Sequence, residues 1–388
     1  MIHIGIDVAK YHHDAIGLDD AGRIVFPAFR FENTRPGVEQ LQEKLQTWQP
    51  AVHCALESTG HYWLALHDYL TNQGVKVIVF NPLQIQAYRQ VGLRKAKTDR
   101  IDCFYIADFL RTRPADALRV LSPHHRQLRY LARFRFRLAD RLAASRRRAH
   151  RLLDQVSPEY PSLFARPFVG TSRLLLRQTV SATDFQTWAL SDLTALIRQA
   201  SRGRLGQEKA QAILDVAHIS LGISTLGAVA SLEMNALLQQ MDLLEQQQAR
   251  VEQMMADILA EIPQFLTTIP GISTTLAAAI LGEIGDVHRF PSIKELVAFA
   301  GLDPSVHQSG QFQATNTRLS KRGSPYLRRA VWIASLSARR FDPDLAAFYQ
   351  RKRQQGKHFN LAMGAVCHRL LARIYVILKE NRPYQIRK

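Results

Sequence analysis

Ile2-His3-Ile4-Gly5-Ile6-Asp7 carries the apolar run Ile4-Gly5-Ile6 to a carboxylate, and its reading as a short buried strand decides the fold of the first hundred residues. Residues 14–18 continue as a second strand, the turn Asp19-Asp20-Ala21-Gly22 follows, and residues 24–31 supply a third. Pro27 has no N–H to give a sheet, which marks this third strand as an edge or a bulge. The pattern then alternates. Val38, Leu41 and Leu45 predict a helix over residues 36–48, followed by a strand at 51–57, a helix at about 61–73 and a strand at 75–80 that ends on Asn81-Pro82. Three antiparallel strands and then alternating helices and strands predict a mixed sheet.

Four acids fall at informative places in this layout. Asp7 ends the first strand, and Glu57 closes Val52-His53-Cys54-Ala55-Leu56 just before Ser58-Thr59-Gly60. Asp99 and Asp102 stand three apart in Lys97-Thr98-Asp99-Arg100-Ile101-Asp102, so a helix starting there presents both on one face. Thr98 is the expected N-cap, and aspartates suit the positive end of a helix. The arrangement resembles a ribonuclease H-like active site, with the helix packed across the catalytic edge of an α/β sheet. Converging carboxylates are the donor set for Mg²⁺, with Mn²⁺ as the alternative, and paired ions about 4 Å apart can clamp both oxygens of a phosphoryl displacement.

Charge supports a polyanionic partner. The chain has 388 residues and a net charge of +18. Residues 91–155 hold 17 Lys/Arg against 6 Asp/Glu and residues 318–388 hold 17 against 3, so the remainder is net negative. Two concentrated basic segments on an otherwise acidic chain read as footprints for nucleic acid, whose neutralised phosphates release condensed counterions. Membrane binding is not expected: the run Leu276 to Leu281 is far short of a span, and no amphipathic anchor or export signal accompanies the charge. Cys54, Cys103 and Cys367 are dispersed, without the paired spacing of a zinc site or disulfide framework. A cytoplasmic, nucleoid-associated protein with reduced thiols is expected.

Beyond residue 120 the pattern becomes helical. Leu128, Leu131, Phe134, Leu138, Leu142, Ser145, Ala149 and Leu152 predict one long helix, with Arg126, Arg129, Arg133, Arg137 and Arg141 down a neighbouring face. Leu237, Met241, Leu244, Gln248, Val251, Met255, Ile258 and Ile262 form a heptad seam, which Pro263 ends. The two helices can pair antiparallel within one chain or join two protomers. Residues 156–230 between them read as a small helical insert with boundaries near Pro158 and Gly203. Ile269-Pro270-Gly271-Ile272 suggests a helix-hairpin-helix whose backbone N–H groups can hold a phosphate. Helices around 294–300, 325–338 and 359–378 complete an α-helical C-terminal domain. The expected domains are therefore 1–120, 121–262 and 263–388.

A second chemical region follows Gly301-Leu302-Asp303-Pro304. It contains Ser309-Gly310, then Arg318-Leu319-Ser320-Lys321-Arg322-Gly323 and Ser324-Pro325-Tyr326-Leu327-Arg328-Arg329. By spacing alone Ser309, Ser320 and Ser324 are equal candidates for a nucleophile. Arg318, Lys321, Arg328 and Arg329 are candidates to hold phosphates, as are Arg94, Lys95, Lys97, Arg133, Arg137 and Arg141. His307 lies near Ser309 without a carboxylate behind it, which disfavours a Ser-His-Asp hydrolase.

Gly5-Ile6-Asp7-Val8-Ala9-Lys10, Glu57-Ser58-Thr59-Gly60, Asn81-Pro82 and Lys97-Thr98-Asp99-Arg100-Ile101-Asp102, in that order, resemble the RuvC-like domain of DEDD transposases. Ile269-Pro270-Gly271-Ile272, Phe299-Ala300-Gly301-Leu302, Ser309-Gly310, Leu319-Ser320-Lys321-Arg322-Gly323 and Leu327-Arg328 resemble the C-terminal transposase domain of the same family. Together they look like the bridge-RNA-guided insertion-sequence recombinases of the one-hundred-and-ten family, over roughly residues 2–112 and 265–380. The resemblance implies Ser309 as the attacking nucleophile, with Asp7, Glu57, Asp99 and Asp102 as the metal-binding acids that assist at the same phosphate. It also implies donor and target DNA, a structured noncoding guide RNA, and a composite site built by a homodimer or homotetramer. Two positions depart from the pattern. Cys103 replaces the usual alanine after Asp102, and Ser324-Pro325 replaces an asparagine-containing stretch after Gly323.

Other readings use part of these residues. A RuvC-type junction resolvase needs the four acids and not Ser309, and a noncatalytic nucleic-acid-binding protein needs only the charge. A sugar or acetate kinase-like fold also opens on a Gly-Ile-Asp strand, but its glycine-rich phosphate loops have no counterpart here.

Overall fold

Strands β1 (Ile2–Val8), β2 (His12–Leu18) and β3 (Ile24–Glu32) form the expected antiparallel meander in the computed structural model. Residues 1–48, 51–91, 99–113, 120–303, 308–309, 312–313 and 319–386 are described, with the backbone alone for 91, 99–100, 308–309 and 312–313. Helix α1 (Arg35–Gln46), strand β4 (Val52–Glu57), helix α2 (Trp63–Asn72), strand β5 (Lys76–Phe80) and helices α3 (Pro82–Val91) and α4 (Asp99–Thr112) follow. The five strands run in the order β3-β2-β1-β4-β5, with β4 parallel to β1 and β5 parallel to β4. β3 is an edge strand, and its pairing with β2 shifts register between Ala15 and Leu18, across from Pro27. Both readings of that proline hold.

Alternation along β1 assigns the two faces. Ile4 and Ile6 enter a core with Leu41 and Leu45 of α1 and Leu66 and Leu70 of α2. Gly5 points the other way, where a Cβ would lie 2.1 Å from the Cys103 carbonyl oxygen and 2.3 Å from the Ala107 nitrogen of α4. Only glycine lets the helix backbone come this close to the strand. Ala55, Phe80, Ile85, Ile106, Phe109 and Leu110 complete the apolar packing on that side. Helix α3 lies outside the helices that the sequence pattern predicts. Asn81-Pro82 ends β5 and also starts the helix, with the Asn81 carboxamide oxygen accepting from the Leu83 N–H at 3.0 Å and proline in the first turn.

Contacts divide the chain into two units, Met1–Val120 and Leu121–Lys388. The second is built on two 34-residue helices, α5 (Pro123–Val156) and, after the insert, α10 (Gly227–Ala260). The insert holds α6 (Gly170–Gln178), α7 (Ala182–Phe185), α8 (Leu190–Ser201) and α9 (Gln207–His218). Arg135 bonds Glu252 and Ser145 bonds Gln240, so α5 and α10 run antiparallel. The seam residues Leu237, Met241, Leu244, Val251 and Met255 are buried. Of the two arrangements left open by the sequence, the structure pairs these helices within one chain. Arg173 and Arg177 of α6 tie the insert to α10 through Asp242 and Glu245.

Helices α11 (Thr274–Ile284) and α12 (Ile293–Ala300), the short strands β6 (Gln308–Ser309) and β7 (Phe312–Gln313), and helices α13 (Pro325–Phe341), α14 (Pro343–Gln354) and α15 (Phe359–Glu380) complete this unit. Its apolar core is continuous from Leu128 of α5 to Ile377 of α15. Helix α5 serves two partners there, α10 along its length and α11 near its start. Around Gly271 the arrangement differs from the expected helix-hairpin-helix. A single 3-10 turn, Leu266–Thr268, precedes Gly271, and Gly271 (φ 93°) lies where a Cβ would be 2.4 Å from the Ala338 nitrogen of α13. That glycine serves helix packing. One described helix, α15, is long and apolar enough to cross a membrane; its Val366, Cys367, Leu370, Leu371 and Ile374 are buried in the helical core.

Candidate active site

The register of β1 on β4 brings the first two acids together. Ile6 pairs with Leu56, so the next residues along these parallel strands, Asp7 and Glu57, stand side by side where the strands end. They share a face with Gly5 and Ala55, the face that α4 covers. Asp102 lies one turn into α4, next to Cys103, whose carbonyl abuts Gly5. Asp99 is the first residue of the same helix, and its side chain is outside the described residues. Thr98, the expected cap, lies outside them too. The Thr59 hydroxyl donates to Glu57 Oε1, and Arg89 Nη1 of α3 is 2.7 Å from Asp102 Oδ1. Arg89 also lies over the Tyr105 ring at 5.7 Å.

A fifth carboxylate belongs to this face. Asp14 of β2 is the direct cross-strand partner of Asp7, so the two side chains project on the same side. Burial pushes the Cys103 thiol up to about 12, and the nearby carboxylates of Asp14 and Asp7 add to the shift, which puts both beside α4. Asp14 is buried and held by Arg30 of β3, with Nε 3.1 Å from Oδ1 and Nη2 2.9 Å from Oδ2. The signal available in the sequence is a charge in an otherwise apolar strand, where Asp14 reads as the strand's first residue.

Hard carboxylate oxygens from two adjacent strands and the covering helix are the donor chemistry of a divalent metal site. Among the described residues no three potential ligands are grouped closely enough to hold an ion. Asp7 and Glu57 share one face of the sheet, and Asp99 and Asp102 belong to the first turn of the helix that covers it.

In the second unit the three candidate serines separate. The Ser320 hydroxyl donates to Asp303 Oδ1, and its N–H bonds the Asp303 carbonyl at 2.9 Å. The Ser324 hydroxyl donates to Glu283 Oε2 at 2.8 Å and accepts from the Leu327 N–H at 3.1 Å, capping α13. Both hydroxyls therefore have structural work. Ser309 lies on β6, paired with Phe312 of β7, and its side chain is not described. His307 and Arg318 lie outside the described residues, as do Arg94, Lys95 and Lys97.

The remaining basic candidates fall into two groups. Arg137, Arg141 and Lys321 are exposed. Arg133 forks onto the buried Glu283 with bonds of 2.6 and 3.0 Å, and that hydrogen-bonded carboxylate raises its pKa. Arg329 grips Asp140 with two bonds of 2.8 and 2.7 Å and lies 4.7 Å over Phe136, while Arg328 Nη1 donates to the Ala300 carbonyl at 3.0 Å. Arg133, Arg328 and Arg329 thus each hold a partner within the protein. Their partners lie far away in sequence, and charge density alone could not reveal them.

Comparison with known proteins meets this geometry. Residues 4–158 match the IS110 DEDD transposase domain, described as "Transposase", and residues 263–350 match the domain described as "Transposase IS116/IS110/IS902 family". The chain belongs to the IS110 family of transposases. The pilin gene-inverting protein of Moraxella bovis is 24% identical over 99% of this chain and 98% of its own length. The insertion element IS110 43.6 kDa protein of Streptomyces coelicolor is 24% identical over 100% of this chain and 96% of its own. This transposase is accordingly a DNA-recombining enzyme with a DEDD domain followed by a largely helical part.

Proposed function

We propose that this transposase recombines DNA through a covalent phosphoserine intermediate, with strand choice set by a structured noncoding RNA that pairs with donor and target. The observation that carries the reading is the juxtaposition of Asp7 and Glu57 beneath the helix bearing Asp99 and Asp102, in a chain whose C-terminal transposase domain contains Ser309. Ser320 and Ser324 are engaged elsewhere, which favours Ser309 among the three serines. In the proposed step Ser309 Oγ bonds to the scissile phosphorus and loses its proton. The bond from phosphorus to the 3′-oxygen breaks, and the 3′-hydroxyl leaves protonated. A 3′-hydroxyl from the exchanged strand then attacks the phosphoserine and regenerates the serine, so rejoining consumes no high-energy cofactor.

Asp7, Glu57, Asp99 and Asp102 would hold Mg²⁺ or Mn²⁺. The metal, when bound, supplies a Lewis acid that withdraws charge from the phosphate. Thr59 orients Glu57, and Arg89 holds Asp102 by an ion pair. A homodimer or homotetramer would bring the acids of one protomer to the serine of another. The exposed Arg137, Arg141 and Lys321 would contact phosphates, a mode suited to reading RNA shape while base pairing reads sequence.

The test is Ser309→Ala. The variant should lose covalent DNA capture on denaturing gels while still retaining RNA transcribed from the element's flanking DNA. Adduct that persists in this variant overturns the nucleophile assignment. Efficient recombination with that flanking DNA deleted overturns the guide-RNA reading.

A further inference from the structure

Glu283 is a carboxylate 1% exposed, set in an otherwise apolar stretch of α11. A charge so enclosed persists only where its oxygens are saturated. Arg133 of α5 binds both oxygens, and Ser324 donates to Oε2. Arg129 closes the same junction from the backbone side, donating to the Gly282 carbonyl at 3.0 Å and the Glu283 carbonyl at 2.8 Å. The carboxylate thus joins three elements: the long helix, the core of the transposase domain, and the first turn of α13.

Ser324 is where this junction meets the chemistry. It caps α13, and its N–H bonds the Phe299 carbonyl at the end of α12. The residues before it are held as tightly. Lys321 adopts φ 53°, its N–H reaching the Gly301 carbonyl, and a Cβ on Gly323 would lie 2.0 Å from the Phe299 carbonyl oxygen. Asp303 and Ser320 are bonded to each other, so the two ends of the segment that carries Ser309 meet here. Freedom in Ser324 would be passed directly to that closure.

We propose that Glu283 is a positioning residue for DNA cleavage: with Arg133 it fixes Ser324, and through Ser324 it sets the base of the segment carrying Ser309. The proposal rests on the reading of Ser309 as nucleophile. A buried ion pair used only for cohesion would not need the serine link, since Arg133 alone can occupy both carboxylate oxygens.

The experiment uses the full-length protein and a plasmid carrying the element with its flanking DNA. Ser324→Ala, Glu283→Gln and Ser324→Asn are compared by maximal cleavage rate, half-saturating DNA concentration and melting temperature. Ser324→Ala and Glu283→Gln should lower the maximal rate about 10- to 100-fold, the scale of a small misplacement of reacting groups, and leave half-saturation unchanged. Ser324→Asn should restore the rate, because its amide can donate to Glu283 while its carbonyl caps Leu327. Wild-type maximal rate in Ser324→Ala overturns the proposal. So does a loss that merely follows melting temperature and is not recovered by asparagine. Mass spectrometry of the wild-type adduct keeps the two readings apart. An adduct on another residue refutes Ser309, whereas an adduct on Ser309 with no effect of Ser324→Ala refutes only the positioning role.

Discussion

Two groups of carboxylates in this molecule live under opposite conditions. Asp7, Glu57 and Asp102 sit partly exposed on the face shared by β1, β4 and α4, behind which the packing is apolar. Glu283 is enclosed at the junction of α5, α11 and α13, forked by one arginine and bonded by a serine. The first group can be reached by an ion or a phosphate, and the second cannot. An acid kept available for chemistry should be removable without harm to the fold. An acid used to join helices should be removable only at large cost in stability.

The sharpest way to break this comparison is Asp7→Asn. It keeps the shape and removes the charge, so recombination should fall on the order of 10³-fold, as expected when a main source of electrostatic catalysis is lost. The melting temperature should stay near that of the wild type. Robust recombination by this variant, or its failure to fold, would each contradict the assignment. Glu283→Ala should behave in reverse. Removing the carboxylate that Arg133 and Ser324 share should cost about 1–3 kcal/mol, the half-exposed Arg133 being partly rehydrated by solvent, measured by urea unfolding of the full chain. An unchanged unfolding midpoint would show that the junction is not held by this charge.

A third variant tests how the first group is supported. Gly5→Ala would place a methyl group against the α4 backbone, at distances no Cβ tolerates. Overpacking of this kind costs about 1–3 kcal/mol. Because Asp102 rides on the displaced helix, activity should fall further than stability does. Equal activity and stability in Gly5→Ala would mean that α4 does not need its close seat on β1.

The sheet was legible because strand periodicity, turn residues and the edge proline all pointed to one layout. Asp7 and Glu57 were legible for the same reason: each ends a strand, and parallel neighbours bring strand ends together. Other features were hidden by distance or by ambiguity. Glu283 lies 150 residues from Arg133, so the long basic face of α5 looked free when part of it was engaged. Asp14 looked like the start of a strand because its partner Arg30 sits on the next one. Helices α3 and α14 are not legible from apolar periodicity. Their signal is in their starts, Asn81-Pro82 and Asp342-Pro343, where each pair supplies a capping side chain and then a proline suited to the first helical turn.

Asp342 also gives the smallest and most specific prediction. It is fully buried, and burial alone would push its carboxyl up. The Tyr384 hydroxyl, the Leu345 N–H and the Arg373 guanidinium more than offset this and hold it below the ordinary carboxylate value. A depressed folded-state pKa means that the unfolded chain binds the proton first as pH falls. The stabilisation is therefore complete above the ordinary carboxylate range and is lost as acid carries the pH down through the folded value. Asp342→Asn removes this titration, so its melting temperature should fall less steeply than that of the wild type below about pH 4, the reference range for aspartate. The variant should be the less stable protein at neutral pH, where Arg373 has lost one of its two counter-charges and keeps only Asp344. Two melting curves of identical acid slope would show instead that the C-terminal segment is docked by Tyr384 packing and not by the Asp342 charge.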